Sequence, residues 1–197
     1  MTNAIPFMQR ALGDDWQNLP PALQAHHRSD CMDSGSMTIE YPRLMQPYLM
    51  LMRCFGALID RPGADVATVV TKRVAGERHH WRRTLTWADN TRILFNSFWV
   101  HAGGNQLIEY VNPALGLQMA VHVDAGRLHY EGVRFVVKLG RWLLPIPEWL
   151  VLGHTTIVEE AIGENRFAMD FRLTHPLFGQ VFRYAGQFVT REDAAQT

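Results

Sequence analysis

Residues 77–137 read ERHHWRRTLTWADNTRILFNSFWVHAGGNQLIEYVNPALGLQMAVHVDAGRLHYEGVRFVV. Successive side chains of a strand point to opposite faces, so a half-buried strand alternates. Trp81, Arg83, Leu85 and Trp87 stand against Arg82, Thr84 and Thr86. Ile93, Phe95, Ser97 and Trp99 stand against Arg92, Asn96 and Phe98. Leu107, Glu109 and Val111 alternate with Gln106, Tyr110 and Asn112, and Leu117, Met119, Val121 and Val123 with Gln118, Ala120, His122 and Asp124. The final segment puts Tyr130 and Val136 on one face, and Val133, Phe135 and Val137 on the other. Turn chemistry separates these runs: Ala88-Asp89-Asn90, Ala102-Gly103-Gly104-Asn105, Asn112-Pro113 and Asp124-Ala125-Gly126. Turns about ten residues apart mark an antiparallel sandwich or barrel rather than βαβ units.

The flanks extend this pattern. Val66–Val74, Thr155–Ala161, Arg166–Thr174 and Gln180–Val189 read as further strands, and Met37–Tyr41 as a short one after a polar loop at 29–36. Helical signals lie at Ile5–Leu12, stopped by Gly13, and beyond Pro20-Pro21 to His26. Arg43–Phe55 is apolar nearly all round, with Leu44, Tyr48, Leu51, Met52 and Phe55 at helical spacing, which predicts a buried helix. The expected fold is mainly β with a minor α part: a curled antiparallel sheet or barrel of about ten strands, one buried helix and an N-terminal helical segment. The whole chain, 1–197, is expected to be one domain, with a helical brace over 1–33, a β-rich body over 34–190 and a tail over 191–197. Closure or curling removes exposed edges, and such a barrel has room for one small ligand.

Composition narrows the function. The 19 Lys+Arg residues balance 19 Asp+Glu, so no basic footprint for nucleic acid exists. The N-terminus lacks a basic segment followed by an apolar run, and Cys31 and Cys54 sit in no metal or redox spacing; a cytoplasmic protein is the expectation. The most apolar window, Val133–Leu152, contains Lys138, Arg141, Pro145, Pro147 and Glu148. It is no transmembrane segment, and reads as a strand, a Pro-bounded turn and a short packed helix rather than a membrane-surface element.

Chemistry is sought where polar groups interrupt apolar faces. Arg83, Ser97 and Glu109 do so on three consecutive strands, which places a guanidinium, a hydroxyl and a carboxylate inside. A buried charge requires a partner, so Arg83 and Glu109 are drawn to one another or to a ligand. Glu109 is the candidate catalytic acid or base; the plainer reading is a structural ion pair. Trp81, Trp99 and Met119 are candidate walls, and Arg183 and Tyr184 candidate polar contacts near the chain's end. His122 and His129 face each other if Ala125-Gly126 is a two-residue turn, with Glu131 on the same side. Two histidines and a carboxylate form a metal-ligand set, but that face also carries Gln118 and Asp124 and reads as solvated. No metal or cofactor is assigned, and no phosphate-cradling loop or nucleophile elbow occurs.

Several short motifs carry a resemblance: Leu12-Gly13-x-x-Trp16 with Leu19-Pro20, Trp81-x-Arg83, Glu109-Tyr110, Leu144-Pro145-Ile146-Pro147-x-Trp149-Leu150, and His175-Pro176-Leu177-x-Gly179-x-x-x-Arg183-Tyr184-x-Gly186. The chain resembles over nearly its whole length a bacterial domain-of-unknown-function family, DUF4166. The resemblance implies occurrence alone or fused behind nucleotide-binding oxidoreductase domains, hence an oxidoreductase partner, but no activity. The sequence therefore points to a module that binds a small, largely apolar molecule bearing an acidic or polar group. The alternatives are an enzyme using Glu109 or a histidine in the same cavity, and a non-catalytic interaction subunit.

Overall fold

A computed structural model describes residues 5–28 and 30–192. Among the described residues eleven strands follow one another: β1 (Cys31–Glu40), β2 (Gly63–Ala75), β3 (Arg78–Thr86), β4 (Arg92–Gly103), β5 (Gln106–Tyr110), β6 (Leu115–Asp124), β7 (Arg127–Leu139), β8 (Trp142–Ile146), β9 (His154–Gly163), β10 (Arg166–His175) and β11 (Gly179–Glu192). Neighbours pair antiparallel in the order β6-β5-β4-β3-β2-β1-β11-β10-β9-β7, and β6 pairs with β7 to close the ring. The result is a ten-strand antiparallel barrel, as the alternation predicts. β7 is long enough to pair twice along one edge, with β9 through Leu128–Glu131 and with β8 through Phe135–Leu139.

The inward set is the one the alternation selects. Trp81, Leu85, Trp87, Trp99, Leu107, Met119 and Val121 are all buried. The hairpin Asp124–Arg127 has two central residues with positive φ, Ala125 and Gly126. That is the twist-matched primed turn, and it sets His122 opposite His129. One phase differs from expectation. A register shift opposite Gln118/Met119 intervenes in β7 near Gly132. Tyr130 therefore faces the interior, while Val136 leaves that face and packs with Ile108 and Tyr110 in a separate outer cluster; Phe135 turns inward instead.

The two barrel ends are different. One is plugged by α1 (Phe7–Leu12), a 3-10 segment over Gly13–Asn18, and α2 (Pro21–His26). Met8, Leu12, Trp16, Leu19 and Leu23 insert into the core there. Pro21 opens α2 from its first turn, where its missing N–H costs nothing. At the other end a 3-10 turn over Arg43–Met45 leads into α3 (Gln46–Cys54).

The expectation of a buried helix over Arg43–Phe55 is corrected. Only Met45 and Leu49 are buried, while Leu44, Met50, Leu51 and Phe55 are half or more exposed. The helix lies across the rim, with Met45 and Leu49 turned to the core and its other face in the open. Two further expectations change. β1 begins at Cys31, so most of 29–36 is strand rather than loop. The Arg141–Leu150 segment is strand β8 plus one 3-10 turn, and it packs little: Trp142, Leu143, Leu144, Trp149 and Leu150 are exposed. β11 continues to Glu192, and the rest of the expected tail lies outside the described residues. No helix among the described residues is long and apolar enough to cross a membrane. Cys31 is buried and Cys54 exposed, and no bridge joins them.

Candidate functional site

The lumen holds a cavity of about 90 Å³, well above the roughly 10–15 Å³ that one water needs. Its wall is apolar for most of its length, with Val70, Leu85, Phe95, Leu117 and Phe171 among the lining residues. At the rim Leu58, Ile59, Val111, Leu115 and Leu152 surround the mouth. Two polar groups interrupt this lining, one midway along the wall and one on the floor.

The wall group is the predicted trio. Arg83 of β3, Ser97 of β4 and Glu109 of β5 all face inward on adjacent strands. Arg83 Nη1 donates to Ser97 Oγ at 2.7 Å and Nη2 to Glu109 Oε1 at 2.9 Å, while Ser97 Oγ donates to the same carboxylate oxygen at 2.6 Å. The guanidinium lies between the rings of Trp81 and Phe95, 5.1 and 5.2 Å from their centroids. Arg83, Glu109 and Tyr184 all line the cavity. The Tyr184 hydroxyl makes no hydrogen bond with the described residues. Burial pushes its pKa up, with Arg83 pulling the other way.

The remaining predicted residues divide. Trp81 lines the cavity, with Trp99 stacked behind it at 5.3 Å between centroids. Met119 is fully buried in the core. Arg183 does not line the cavity; it is tied to Asp170 and Glu40 in a partly exposed network. Its neighbours Phe182 and Tyr184 take the inward face, so alternation sends Arg183 out. His122 and His129 stack at 5.0 Å, but Glu131 turns to His154 instead, at 2.9 Å. The trio is therefore not a converging ligand set.

The floor group was not singled out from sequence. His26 and His27 end α2 and reach into the barrel beside Asp33 of β1, Lys72 of β2, Tyr130 of β7 and Glu159 of β9, and all six are buried. Lys72 Nζ sits 2.6 Å from Asp33 Oδ2 and 2.8 Å from His26 Nδ1, and also donates to the His26 carbonyl. Thr190 Oγ1 donates to the other Asp33 oxygen at 2.8 Å. His27 Nε2 lies 2.7 Å from Glu159 Oε2 and 3.1 Å from the Tyr130 hydroxyl. His26 and Asp33 reach the cavity surface.

Burial disfavours charge here, and the partners decide which charges survive. Burial alone would push both carboxyls up, but Lys72 and His26 hold Asp33 well below the usual range, and His27 and His26 do the same for Glu159. Burial and the charge of Lys72 both push His26 down, yet Asp33 and Glu159 outweigh them and hold it raised. Burial lowers His27 to about 4 and His79 to about 3. Burial and Glu159 raise Tyr130. Around the cluster, His79 Nε2 and the indole N–H groups of Trp81 and Trp99 are buried without a partner among the described residues.

Chemically, the wall offers a neutralised Arg–carboxylate pair with a hydroxyl on each side. The floor offers a general acid or base, and three converging donors in His26, His27 and Glu159. The alternation that marks Arg83 also marks Lys72, which follows Val66, Thr68 and Val70 on the inward face of β2, and Glu159, which follows Thr155 and Ile157 on β9. His26, His27 and Asp33 carried no such signal, since they lie on a helix end and in a stretch that reads as loop.

The chain matches the family model described as Domain of unknown function (DUF4166) over residues 19–188. That span includes every strand from β1 to β10 and both polar groups, and the chain belongs to that family. No curated protein matches it significantly.

Proposed function

For a member of a family that carries no assigned activity, we propose that the barrel binds one small, elongated and largely apolar molecule that enters through the open rim and carries a polar group at one end. The observation that supports this is a lumen left partly unfilled, apolar along its length, with Arg83, Glu109 and Tyr184 at one level of its wall. Arg83 Nη1 and Nη2 are taken by Ser97 and Glu109. A ligand carboxylate would meet Glu109 as well as Arg83, whereas a hydroxyl or carbonyl finds both a donor and an acceptor. A neutral polar end therefore fits better than an acidic one.

Native mass spectrometry of freshly purified protein tests for a retained molecule. The neutral fluorophore N-phenyl-1-naphthylamine tests the emptied barrel. Saturable 1:1 enhancement is expected, displaced better by a long-chain alcohol than by the matching acid, and abolished in Leu117→Trp, which fills the lumen. A folded protein that binds no probe, or binds it equally in Leu117→Trp, refutes the reading.

An enzyme in the same cavity is the second reading, favoured by the position of His26 and Asp33 on the cavity floor. Glu109→Gln separates the two: ligand retained with turnover lost marks an enzyme. An oxidoreductase as the source or recipient of the ligand accords with the fusions that the family resemblance implies.

A further inference from the structure

The floor cluster has a feature that a plain ion-pair network does not need. His26 is fully buried; its Nδ1 lies 3.0 Å from Asp33 Oδ2 and 2.8 Å from Lys72 Nζ, and the Asp33 carboxylate is itself paired with Lys72 and accepts from Thr190. That leaves His26 Nε2 buried with no hydrogen bond, aimed at Glu159 Oε1 3.5 Å away. His27 Nε2 stands on the other carboxylate oxygen, and the three donor atoms lie within 4.8 Å of one another. A carboxylate on one ring nitrogen of a histidine and a metal on the other is a recurrent arrangement, because the carboxylate fixes the tautomer and raises ligand basicity.

We propose that His26 Nε2, His27 Nε2 and Glu159 bind a divalent transition-metal ion of the Zn²⁺ class. Donors around tetrahedral Zn²⁺ stand about 3.3–3.5 Å apart, given bonds of about 2.0–2.1 Å. The His26–Glu159 separation already matches, and the His27–Glu159 pair opens by about 0.6 Å. The cavity surface at His26 gives an entry path and leaves the fourth position to water or Tyr130. This site stands independently of what occupies the apolar lumen.

The test is a titration of chelator-treated protein with ZnCl₂ by calorimetry, with native mass spectrometry for stoichiometry and Co²⁺ for a four-coordinate visible spectrum. One equivalent is expected. Glu159→Gln removes it, and Asp33→Asn weakens it by about tenfold to a hundredfold. Circular dichroism checks that each variant folds. His122→Ala controls for the exposed imidazole pair. No stoichiometric binding by folded wild type overturns the proposal, as does binding that persists in Glu159→Gln or disappears in His122→Ala.

A second observation, at the opposite end, carries its own inference. Exposed apolar side chains concentrate on the rim: Met50 and Leu51 on α3, Trp142 and Leu143 on β8, Trp149 on the following turn, and Phe178 at the β10–β11 corner, each half or more exposed. Hydrogen bonds join these segments around the mouth. Tyr48 Oη donates to the Val151 carbonyl, His175 Nε2 lies 2.9 Å from the Trp149 carbonyl, and Asn112 Nδ2 donates to that of Phe55. The rim segments 42–60, 138–151 and 175–179 contain Arg43, Arg53, Lys138 and Arg141; of their two acids, Glu148 is buried and Asp60 lies 3.9 Å from Arg53. Arg43, Lys138 and Arg141 are exposed and form no ion pair among the described residues.

From this apolar, tryptophan-bearing surface with three unpaired cations we infer that the rim docks on an anionic phospholipid bilayer, with Trp142 and Trp149 at headgroup depth. Each cation contributes about fivefold on an anionic surface, so three give about a hundredfold preference over a neutral one. Docking does not depend on the lumen holding a ligand. Flotation with vesicles of phosphatidylcholine, alone or with about 30% phosphatidylserine, reads it directly. Binding to the anionic vesicles is expected, lost in Trp142→Ala/Trp149→Ala and reduced about twenty-five-fold or more in Lys138→Glu/Arg141→Glu. Absence of binding, or binding indifferent to these surface variants, overturns it. So does a dimer dissociated by the Trp pair, which would make a second copy the occupant.

Discussion

The Arg83–Glu109 pair gives a direct measure of how the lumen treats charge. Their side chains are 12% and 13% exposed, so neither is in bulk water and neither is wholly desolvated. Removing one partner of a fully buried pair costs about 3–5 kcal/mol, because the other charge is left behind. With this residual exposure, and with Ser97 still donating to Glu109, Arg83→Met is expected to cost about 2–3 kcal/mol. Glu109→Met strands the guanidinium and costs a similar amount. The double variant puts two flexible apolar chains where two charges stood, and lies within about 1 kcal/mol of wild type. The coupling energy is then about 3 kcal/mol or more. Urea denaturation of the four proteins supplies it, with equal m-values as the check that the barrel stays closed. The exposed pair Arg127–Glu160, about half exposed on each side, is the internal control, expected at about 0–1 kcal/mol. A coupling no larger than that of the control would refute the placement of Arg83 and Glu109 in a low-dielectric wall.

Lys72→Met removes the cation from Asp33 in a setting where both side chains are essentially inaccessible; a loss of about 3–5 kcal/mol in urea is expected, eased by adding Asp33→Asn. His79 supplies a pH dependence of definite sign. Burial lowers its folded pKa to about 3, so the unfolded chain takes up a proton near pH 6.5 that the fold refuses. Its contribution is full above pH 6.5 and is lost as the pH falls toward 3, and His79→Phe, placed beside Phe7, flattens the stability profile over that window without abolishing the slope from His27. Gly132→Ala sets a methyl group against the Glu148 carboxylate, which accepts from Thr155 N at 3.1 Å and pairs with His154 at 2.7 Å. It should cost about 1–3 kcal/mol in thermal or urea unfolding, and a neutral result would mean that Glu148 moves freely.

Much of the barrel is legible because its strands are half-buried: one face meets the lumen and the other meets solvent, so the sequence alternates. Where that condition fails, so does the reading. The β-bulge opposite Gln118/Met119 inserts one extra residue, and every side chain beyond it exchanges faces. This is why strict alternation groups Val136 with Tyr130 and sets Phe135 on the opposite face, whereas Tyr130 and Phe135 share the interior. α3 failed for a different reason. Apolar periodicity reports that a helix avoids water in some setting, not that the setting lies within the same chain. Met50, Leu51 and Phe55 satisfy the pattern while remaining exposed on the rim. The same ambiguity covers Trp142 and Trp149, whose apolar window reads as packed and stands in the open.

The candidate site divides along the same line. An inward charge on a strand can be found by period two, and Arg83, Glu109, Lys72 and Glu159 all satisfy that rule. Alternation gives the face but not the height in the barrel, and height decides which charges meet. Arg83 and Lys72 lie on adjacent strands with Val70 paired to Arg83. Yet one selects Glu109 on the wall and the other Asp33 on the floor. What separates them is the plug: α2 carries His26 and His27 down onto Lys72, Asp33 and Glu159, and nothing comparable reaches Arg83. A helix end has no two-residue period to betray an inward side chain. The part of the site with the densest chemistry was thus assembled by a segment whose local pattern is silent about it, and only the closure of the barrel over that segment brings the two histidines to the carboxylate.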